Sequence, residues 1–311
     1  MRYVATLLHP RRRGLGRRLE RRARGVADRS LAAARVVDPV LTLVAFRRGH
    51  GRWPALRHPR TFSDKLARKR LLDRRPYLTR TTDKVAVRAH VAARVGTGVL
   101  PALLDVVDAA ERLDFARYPR AFVVKPSHRS GRVRVVADRD TADLDEVRAA
   151  AGEWLRGQHP LYYRGIPPRL LVEEFLGDPA GGPAADHKLL VVHGRVEQIG
   201  VHVDRFGDHR VSLYDARWRR LPVTYGSPPG PDLPAPPNLA RMVALAELLA
   251  EGTDVVRVDL YDLGDRVVFG ELTHSPGGAA LAFDPPGWDD ALGARWHPPR
   301  SYGRDRALAQ G

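Results

Sequence analysis

The sequence contains no cysteine among its 311 residues and only two methionines. The lack of cysteine excludes disulfide bonds, thiolate catalysis and cysteine-ligated zinc or iron–sulfur centres, and it fits a reducing compartment. A metal ion would have to be bound by oxygen or imidazole. The twelve histidines show no metal-binding spacing such as H-E-x-x-H, which leaves a hydrolytic zinc site without support.

Long apolar runs are also missing. A membrane-spanning helix needs roughly 20 mostly apolar residues, and the most apolar early stretch, 31–46, is interrupted by Arg35, Asp38 and Pro39. Because 43% of the residues are hydrophobic, the chain can still bury a large core. We expect a globular protein in the cytoplasm, with peripheral contact to a membrane through residues 1–58 as an open alternative.

Acidic residues are scarce at the beginning of the chain. Residues 1–80 hold 23 lysines and arginines against 5 acidic residues, whereas the rest of the chain carries a net charge of −2. Runs such as Arg11-Arg12-Arg13 suit an anionic membrane or an acidic polymer, or they form a solvated basic face; nucleic acid is the partner that we expect least. The chemistry is therefore expected in the later, nearly neutral part.

The hydrophobic pattern after residue 96 predicts short strands with helices between them, which is typical of an α/β or α+β enzyme domain. The predicted strands are 121–125, 133–136, 169–174, 187–192, 195–202, 255–261 and 266–271. The predicted helices are one or two amphipathic helices within 14–46, one opening at 61–66 with Thr61 or Ser63 as its cap, 84–95 after Thr82 or Asp83, 144–156, and 239–251 with Asn238 as its cap.

A lysine and a small polar loop follow the first predicted strand. The segment 123–133 reads V-V-K-P-S-H-R-S-G-R-V, so Lys125 ends a strand and Ser127, Ser130 and Gly131 fall in the loop. Backbone N–H groups and hydroxyls of such a loop can close over phosphate oxygens while the lysine supplies a positive charge. A plain hairpin turn would give the same pattern.

Two adjacent carboxylates, Glu173 and Glu174, end the apolar strand that begins at residue 169. The backbone at such a strand edge could bind a purine while a carboxylate accepts hydrogen bonds from ribose hydroxyls. Solvated acids at the end of a strand are the alternative interpretation.

The last pair of strands carries the most specific pattern. Alternation places Arg257 and Asp259 on one face of their strand, and a tight turn then brings Glu271 of the next strand beside Asp259. Two carboxylates from neighbouring strands suit Mg²⁺, which completes its shell with water and substrate phosphates. Arg257 could neutralise charge on a transferred phosphoryl group, or it could form a structural salt bridge with one carboxylate.

In this order the features resemble the ATP-grasp superfamily, and most closely its TupA-like branch, named for teichuronopeptide biosynthesis. The resemblance extends from about residue 59 to about residue 293. The motifs that carry it are T-F-S-D-K-L at 61–66, T-D-K-V-A-V-R at 82–88, F-V-V-K-P at 122–126, V-E-E-F-L at 172–176, D-H-K at 186–188, R-V-D-L-Y at 257–261 and F-G-E-L-T at 269–273.

The resemblance implies an α+β protein with the ATP-grasp fold, in which two α/β subdomains clamp ATP. A basic helical segment precedes the two subdomains in the sequence. We expect a basic extension at 1–58, the start of the TupA-like region at 59–120, the first ATP-grasp subdomain at 121–176, the second at 177–296 and a disordered tail at 297–311.

The resemblance also implies the cofactors ATP and Mg²⁺ and a role for each matching residue. Lys84 and Lys125 would contact phosphates, Ser127, Ser130 and Gly131 would belong to a mobile loop over the γ-phosphate, and Glu173, Glu174, Phe175 and Leu176 would hold adenine and ribose. Lys188 would be a further nucleotide or phosphate contact and, with Arg257, a catalytic residue; Arg257 would stabilise the transferring phosphoryl group. Asp259, Glu271 and Thr273 would bind magnesium.

Two positions depart from the branch. His187 stands where an aromatic residue is usual, and His128 next to Arg129 makes the phosphate loop more basic than is typical. Thr273 stands where many superfamily members carry Asn, although Thr is usual in this branch.

The implied reaction is ATP-dependent ligation of a carboxylate to an amine through an acyl phosphate, in the assembly of a cell-surface polymer or a secondary metabolite. An amino acid is a candidate substrate, and an acidic polymer or a lipid-linked molecule is a candidate acceptor. Two alternatives remain open at this point: an ATP-dependent kinase acting on a sugar or polymer, and a non-enzymatic protein that binds anionic polymers through its basic arm.

Overall fold

A computed structural model describes residues 31–156, 161–177, 184–203 and 208–302, with the backbone alone at 31–36 and 161. The predicted basic extension is thus described from residue 31 onward, and the predicted tail up to residue 302. The helices are α1 (Leu31–His50), α2 (Phe62–Leu72), α3 (Pro76–Thr82), α4 (Val87–Val95), α5 (Leu144–Leu155), α6 (Leu239–Leu249) and α7 (Gly287–Arg295).

The strands are β1 (Leu103–Val107), β2 (Phe122–Pro126), β3 (Arg134–Val136), β4 (Leu170–Glu174), β5 (Asp186–Val192), β6 (Arg195–Val203), β7 (Arg210–Tyr214), β8 (Thr224–Tyr225), β9 (Val255–Asp262), β10 (Val267–Thr273) and β11 (Phe283–Asp284). The chain divides into two compact units. The first comprises Met1–Asp38, Thr79–His90 and Leu100–Pro183, and the second comprises Pro39–Leu78, Val91–Val99 and Ala184–Gly311.

The first unit is built on a four-stranded antiparallel sheet in the order β1-β4-β2-β3. Helix α5 begins where the Asp143 side chain accepts a hydrogen bond from the Glu146 N–H at 2.9 Å, an N-cap of the usual kind. The helix buries Val147, Ala151 and Trp154 because their spacing places them on one face. They pack with inward side chains of β2 and β4 to form the core of this unit.

The second unit is built on a five-stranded antiparallel sheet in the order β10-β9-β5-β6-β7. Its central strand β5 is buried along its whole length, and helix α6 packs against β5, β6 and β9. Leu190 and Val192 of β5 join an apolar cluster with Phe62 of α2, Leu292 of α7 and the fully buried Trp296. Strands β8 and β11 form a separate two-stranded sheet.

The approach of α7 to the start of α2 depends on Gly293. A Cβ atom at this position would lie 2.3 Å from the Arg60 carbonyl oxygen, so a larger residue would push the two segments apart. Lys65 completes this contact by donating to the carbonyl oxygens of Gly293 at 2.7 Å and Trp296 at 2.6 Å. Among the described residues, no helix combines the length and apolar character that crossing a membrane requires.

All seven predicted strands are present with ends shifted by up to two residues, whereas β1, β7, β8 and β11 were not predicted. Of the two candidate caps for α2, Thr61 is the one that accepts the Asp64 N–H. The predicted helix 84–95 begins only at Val87, because residues 84–86 form a turn in which the Lys84 N–H donates to the Ser127 carbonyl oxygen. Asn238 precedes α6 as predicted, but its side chain donates to Asp262 instead of capping the helix.

The end of the chain is described as far as Tyr302. Its hydroxyl donates to the Asp254 carboxylate at 3.0 Å, and the Lys69 ammonium lies 4.8 Å from the centre of its ring. Residues 303–311 of the predicted tail lie outside the described part of the chain.

Candidate active site

In the first unit, Lys125 and Glu173 meet on one face of the sheet. The register of β2 and β4 pairs Val123 with Glu173, and alternation along β2 then places Lys125 on the same face. Lys125 forms an ion pair with the Glu173 carboxylate, and Arg88 donates to that carboxylate at 3.0 Å. Arg88 also donates to the Pro101 carbonyl oxygen at 2.8 Å. Two cations thus share one buried carboxylate, so this group of side chains, the Glu173 cluster, carries a net positive charge.

The predicted phosphate loop follows β2 directly. Ser127 is fully buried, and its hydroxyl donates to the Pro167 carbonyl oxygen at 3.0 Å. Ser130 and Gly131 are exposed, and Gly131 has a φ of +67°, a conformation that a residue without a Cβ adopts without strain. The Lys84 ammonium donates to the Arg129 carbonyl oxygen at 2.5 Å, which brings this predicted phosphate ligand to the loop.

The sequence predicts a loop made more basic by His128 and Arg129, and His128 does not supply that charge near neutral pH. His128 is 2% exposed, and burial, followed by the charge of Arg129, lowers the pKa of its imidazole to about 4. The ring is therefore neutral at physiological pH. The positive charge of the loop region comes from lysine and arginine side chains.

The remaining nucleotide residues predicted in this unit lie at the end of β4. Glu174 accepts a hydrogen bond from the Ala102 N–H at 2.8 Å, while its own N–H donates to the Ala102 carbonyl oxygen at 3.0 Å. Phe175 and Leu176 follow the strand and are half-buried. The adenine and ribose contacts of Glu173, Glu174, Phe175 and Leu176 stay predictions.

In the second unit, charged side chains from three adjacent strands share one face. Alternation along β5 places Asp186 and Lys188 on the same face, and register pairs Lys188 with Asp259 of β9. Glu271 of β10 lies opposite Asp259. This confirms the predicted juxtaposition of the two carboxylates.

A β-bulge at Gly270 produces that juxtaposition. Phe269 pairs with Leu260, but the next paired residue of β10 is Glu271, opposite Asp259, so Gly270 is the extra residue. A Cβ atom at Gly270 would lie 3.0 Å from the Tyr261 ring and 3.1 Å from the Asp259 carbonyl oxygen. Without the bulge, Glu271 would point to the opposite face of the sheet.

Ion pairs join these side chains into one group, which we call the Asp259 cluster. Lys188 donates to Asp186 at 2.6 Å and to Asp259 at 2.5 Å. Arg257 holds Asp259 with two hydrogen bonds, of 2.6 and 2.8 Å, and donates to Glu271 at 2.8 Å. The salt bridge that the sequence left open as an alternative role for Arg257 is therefore present.

Thr273, the third predicted metal ligand, belongs to the same group. It lies opposite Arg257 in the register of β9 and β10, accepts a hydrogen bond from the Arg257 guanidinium at 3.0 Å and donates to Glu271 at 2.7 Å. All five residues that the sequence predicts for phosphoryl transfer and metal binding in this unit thus lie together.

Burial sets the electrostatics of the cluster. It raises the pKa of Asp259, against the opposing effects of Arg257 and Lys188. For Arg257, burial acts to lower the pKa of the guanidinium, but the Asp259 and Glu271 carboxylates outweigh it and raise the pKa above its usual value. Among the described side chains of this cluster, Asp186, Asp259 and Glu271 supply three carboxylates and Lys188 and Arg257 supply two cations.

A magnesium ion fits this donor set. Among the described residues, no group of three or more histidine or acidic side chains is placed to hold a metal by itself. Magnesium that arrives with a nucleotide uses only one or two carboxylates and completes its shell with phosphate oxygens and water. Asp259 and Glu271, opposite each other on neighbouring strands, offer two.

Three residues of these clusters received no role from the sequence. Arg88 and Asp186 stand inside the motifs of the resemblance, and alternation with Lys188 was the available signal for Asp186. His202 lies opposite Asp186 in the register of β6, and its Nδ1 atom is 2.8 Å from Nε2 of His209, with the two rings stacked. No local pattern indicates this histidine pair, because His202 lies in β6 and His209 directly precedes β7.

The model of one protein family, described as TupA-like ATPgrasp, matches residues 64–297, about three quarters of the chain. The chain belongs to this TupA-like ATP-grasp family. The family assignment confirms the resemblance inferred from the motifs and, with it, the ATP-grasp fold.

Solved structures of ATP-grasp ligases are also similar to this family member. D-alanine–D-alanine ligase from Bacillus anthracis complexed with ATP is 15% identical, with 64% of this chain and 56% of that chain covered and a TM-score of 0.41. The ATP-grasp ligase PsnB complexed with minimal precursor, Mg and ADP is 16% identical, with 75% and 66% covered and a TM-score of 0.40. The chain thus spans less than two thirds of the length of these structures. No curated protein matches the chain.

Proposed function

We propose that this ATP-grasp protein joins a carboxylate to an amine at the expense of ATP, through an acyl phosphate. The observation that carries the proposal is the Asp259 cluster, in which three carboxylates and two cations share one face of a rigid sheet. A surplus of one negative charge is the arrangement that a magnesium nucleotide needs, and the arginine within it can follow a phosphoryl group through its transfer.

The Glu173 cluster would bind the nucleotide. Lys125 and Arg88 hold more positive charge than Glu173 neutralises, so they attract a polyphosphate chain. Lys84, already bonded to the backbone of the loop at Arg129, would hold that loop near the terminal phosphate. The exposed backbone at Ser130 and Gly131 would supply further N–H donors.

In the Asp259 cluster, each residue has a separate task. Asp259 and Glu271, with Thr273 beside them, would hold magnesium, which supplies Lewis-acid stabilisation of the phosphate oxygens when it is bound. Arg257 would neutralise charge on the transferring phosphoryl group, and Lys188 would contact a phosphate oxygen. Asp186, which accepts a hydrogen bond from Lys188 at 2.6 Å, would keep Lys188 within the cluster if Asp259 bound the metal.

The proposed reaction has two steps. A substrate carboxylate oxygen attacks the γ-phosphorus of ATP, and the bond to the β-phosphate oxygen breaks, so ADP leaves. The nitrogen of the amine then attacks the acyl carbon, the bond from that carbon to the phosphate oxygen breaks, and inorganic phosphate leaves with the electron pair. The nitrogen loses a proton as the amide forms. The protein contributes position and charge and forms no covalent bond.

For the substrates, we propose an amino acid as one component and a cytoplasmic biosynthetic step for a cell-surface polymer or a peptide-type metabolite. Support comes from the family assignment and from the acyl transfer that the charges of the two clusters allow. The solved structures named above include a ligase for D-alanine and one with a peptide precursor, which makes amino acids the first compounds to screen.

Trapping the acyl phosphate tests this function. The full-length protein is given Mg²⁺, ATP and single amino acids, with hydroxylamine in place of the amine. We expect ADP and a hydroxamate in equal amounts, since hydroxylamine intercepts only an activated acyl group. ADP with a phosphorylated hydroxyl group and no hydroxamate would show a kinase instead.

A matched pair of variants shows whether the Asp259 cluster is responsible. Lys188 lies between Asp186 and Asp259, and Lys69 lies in the same way between Asp73 at 2.8 Å and Asp254 at 2.5 Å, away from the predicted site residues. We expect Lys188→Met to abolish hydroxamate formation and Lys69→Met to leave the reaction rate of the folded fraction unchanged. Equal losses in both variants would contradict the assignment.

A further inference from the structure

A basic surface covers the last turn of helix α1 and the segment after it, in the second unit. Residues 47–60 contain five arginines, two histidines and no acidic residue. The five arginines, all exposed, are Arg47, Arg48, Arg52, Arg57 and Arg60. The buried carboxylate of Asp64 pairs with Arg52 at 2.7 Å. Because residues 47–60 hold five arginines and no acidic residue, this segment carries a strong positive charge.

An exposed aromatic residue lies in the middle of this charge. Trp53 is 56% exposed, although tryptophan ordinarily buries most of its surface in a folded protein. The guanidinium of Arg47 lies 5.3 Å from the centre of its ring and also donates to the Gly51 carbonyl oxygen at 3.3 Å. These contacts hold the indole at the surface beside a cation.

Helix α1 extends the apolar part of the surface. Val40 is 52% exposed and stands seven residues before Arg47, which is two helical turns along the same face. Val40 and Arg47 thus share one face of helix α1, and the Trp53 ring lies against the Arg47 guanidinium. We call these three residues with the neighbouring arginines the Trp53 surface.

We propose that the Trp53 surface docks on the headgroup region of an anionic lipid bilayer. A soluble acidic polymer offers charge alone and leaves the indole and the valine in water. An anionic bilayer offers phosphate groups for the arginines and, a few ångströms deeper, an apolar boundary for Trp53 and Val40. Tryptophan and arginine together are the side chains that this boundary favours. The proposal does not depend on the ligase reaction.

Vesicle binding tests the proposal with the full-length protein. Sedimentation is measured with vesicles of phosphatidylcholine alone and with phosphatidylglycerol added. We expect binding only to the anionic vesicles, a loss of about fivefold in affinity for each arginine of the surface replaced by glutamine, and a loss on the order of tenfold for Trp53→Ser. Leu248→Ser is the matched control, because Leu248 is 45% exposed on helix α6 and is expected to have no effect.

Two further results decide between a bilayer and a soluble polyanion. The emission of Trp53 is obtained by subtracting the spectrum of Trp53→Phe from that of the wild type. This emission should shift to shorter wavelength when anionic vesicles are added, and polyglutamate should cause no such shift. Binding of Trp53→Ser equal to that of the wild type would overturn the proposal, even if the arginine variants bind weakly. Binding to polyglutamate but to no vesicle would overturn it as well.

Discussion

The Glu173 cluster and the Asp259 cluster are built from the same parts but carry opposite charge. In each, a buried carboxylate is held by one lysine and one arginine: Glu173 by Lys125 and Arg88, Asp259 by Lys188 and Arg257. In the second, Asp186 and Glu271 add two further carboxylates. One cluster therefore has a cation in excess, and the other has a carboxylate in excess.

Under the proposed function, this difference gives the two clusters different roles. A surplus of positive charge suits phosphate, and a surplus of carboxylate suits a divalent cation. The buried ion pairs are weak support for stability, because the desolvation of the charges offsets much of their attraction. The surplus of charge on one strand face is the property that points to function.

The largest effect should follow from removing the central carboxylate of the negative cluster. Asp259→Asn leaves Lys188 with Asp186 and Arg257 with Glu271, so the fold is retained, but a magnesium ligand is lost. We expect kcat for ADP release to fall on the order of 10³-fold. Steady-state kinetics with a circular-dichroism check of folding measure this, and a variant that retains more than a tenth of the rate would count against a metal role for Asp259.

A third group of buried ion pairs, around Lys69, is expected to affect stability and not function. Lys69 is fully buried between Asp73 and Asp254, so Lys69→Met leaves two buried carboxylates without their lysine. We expect a loss of about 3 kcal/mol in the free energy of unfolding, measured with urea, and no change in the magnesium dependence of the folded protein. A change in magnesium dependence would show that the comparison of clusters by charge is incomplete.

Neutralising the positive cluster should have a smaller and different effect. Lys125→Met leaves Arg88 and Glu173 balanced, so the attraction for the nucleotide falls while the metal ligands stay intact. We expect KM for ATP to rise about tenfold, with the magnesium concentration at half-maximal rate unchanged. An equal loss of magnesium affinity would mean that the two clusters do not divide the nucleotide as proposed.

The smallest effect concerns His128, which is neutral beside the positive loop. Its folded pKa of about 4 lies below the 6.5 of an unfolded histidine, so the unfolded chain binds more protons between these values. The contribution of neutral His128 to the free energy of unfolding is fully present above about pH 6.5 and is lost as the pH falls toward 4. We expect His128→Phe to remove about 1–2 kcal/mol of the stability difference between pH 7 and pH 5, whereas the exposed His58→Phe should not.

Much of the fold was accessible from local patterns. The strands that carry the two clusters alternate or contain an apolar run, and the turn that the sequence predicts at 262–265 joins β9 to β10. Strands β8 and β11 have two residues each and lie far apart in sequence, so their pairing leaves no periodic signal. Strand β1 pairs with β4 through a register shift and likewise lacks clean alternation.

The sequence predicted only the part of the site that depends on local patterns. Alternation and a tight turn indicate that Asp259 and Glu271 meet, yet the bulge at Gly270 that makes them meet is not visible before the register is known. Arg88 reaches Glu173 from helix α4, and the charge state of His128 depends on burial. These features depend on tertiary packing, which a single sequence does not display.

Calorimetry of Mg²⁺·ATP binding tests the central claim most directly. The wild type is compared with the Asp259→Asn, Glu271→Gln double variant, each shown to be folded. The charge assignment predicts magnesium-dependent binding by the wild type, and in the variant residual binding of ATP that magnesium no longer strengthens. Binding that responds equally to magnesium in both proteins, or no binding by a folded wild type, would contradict the assignment of the two clusters.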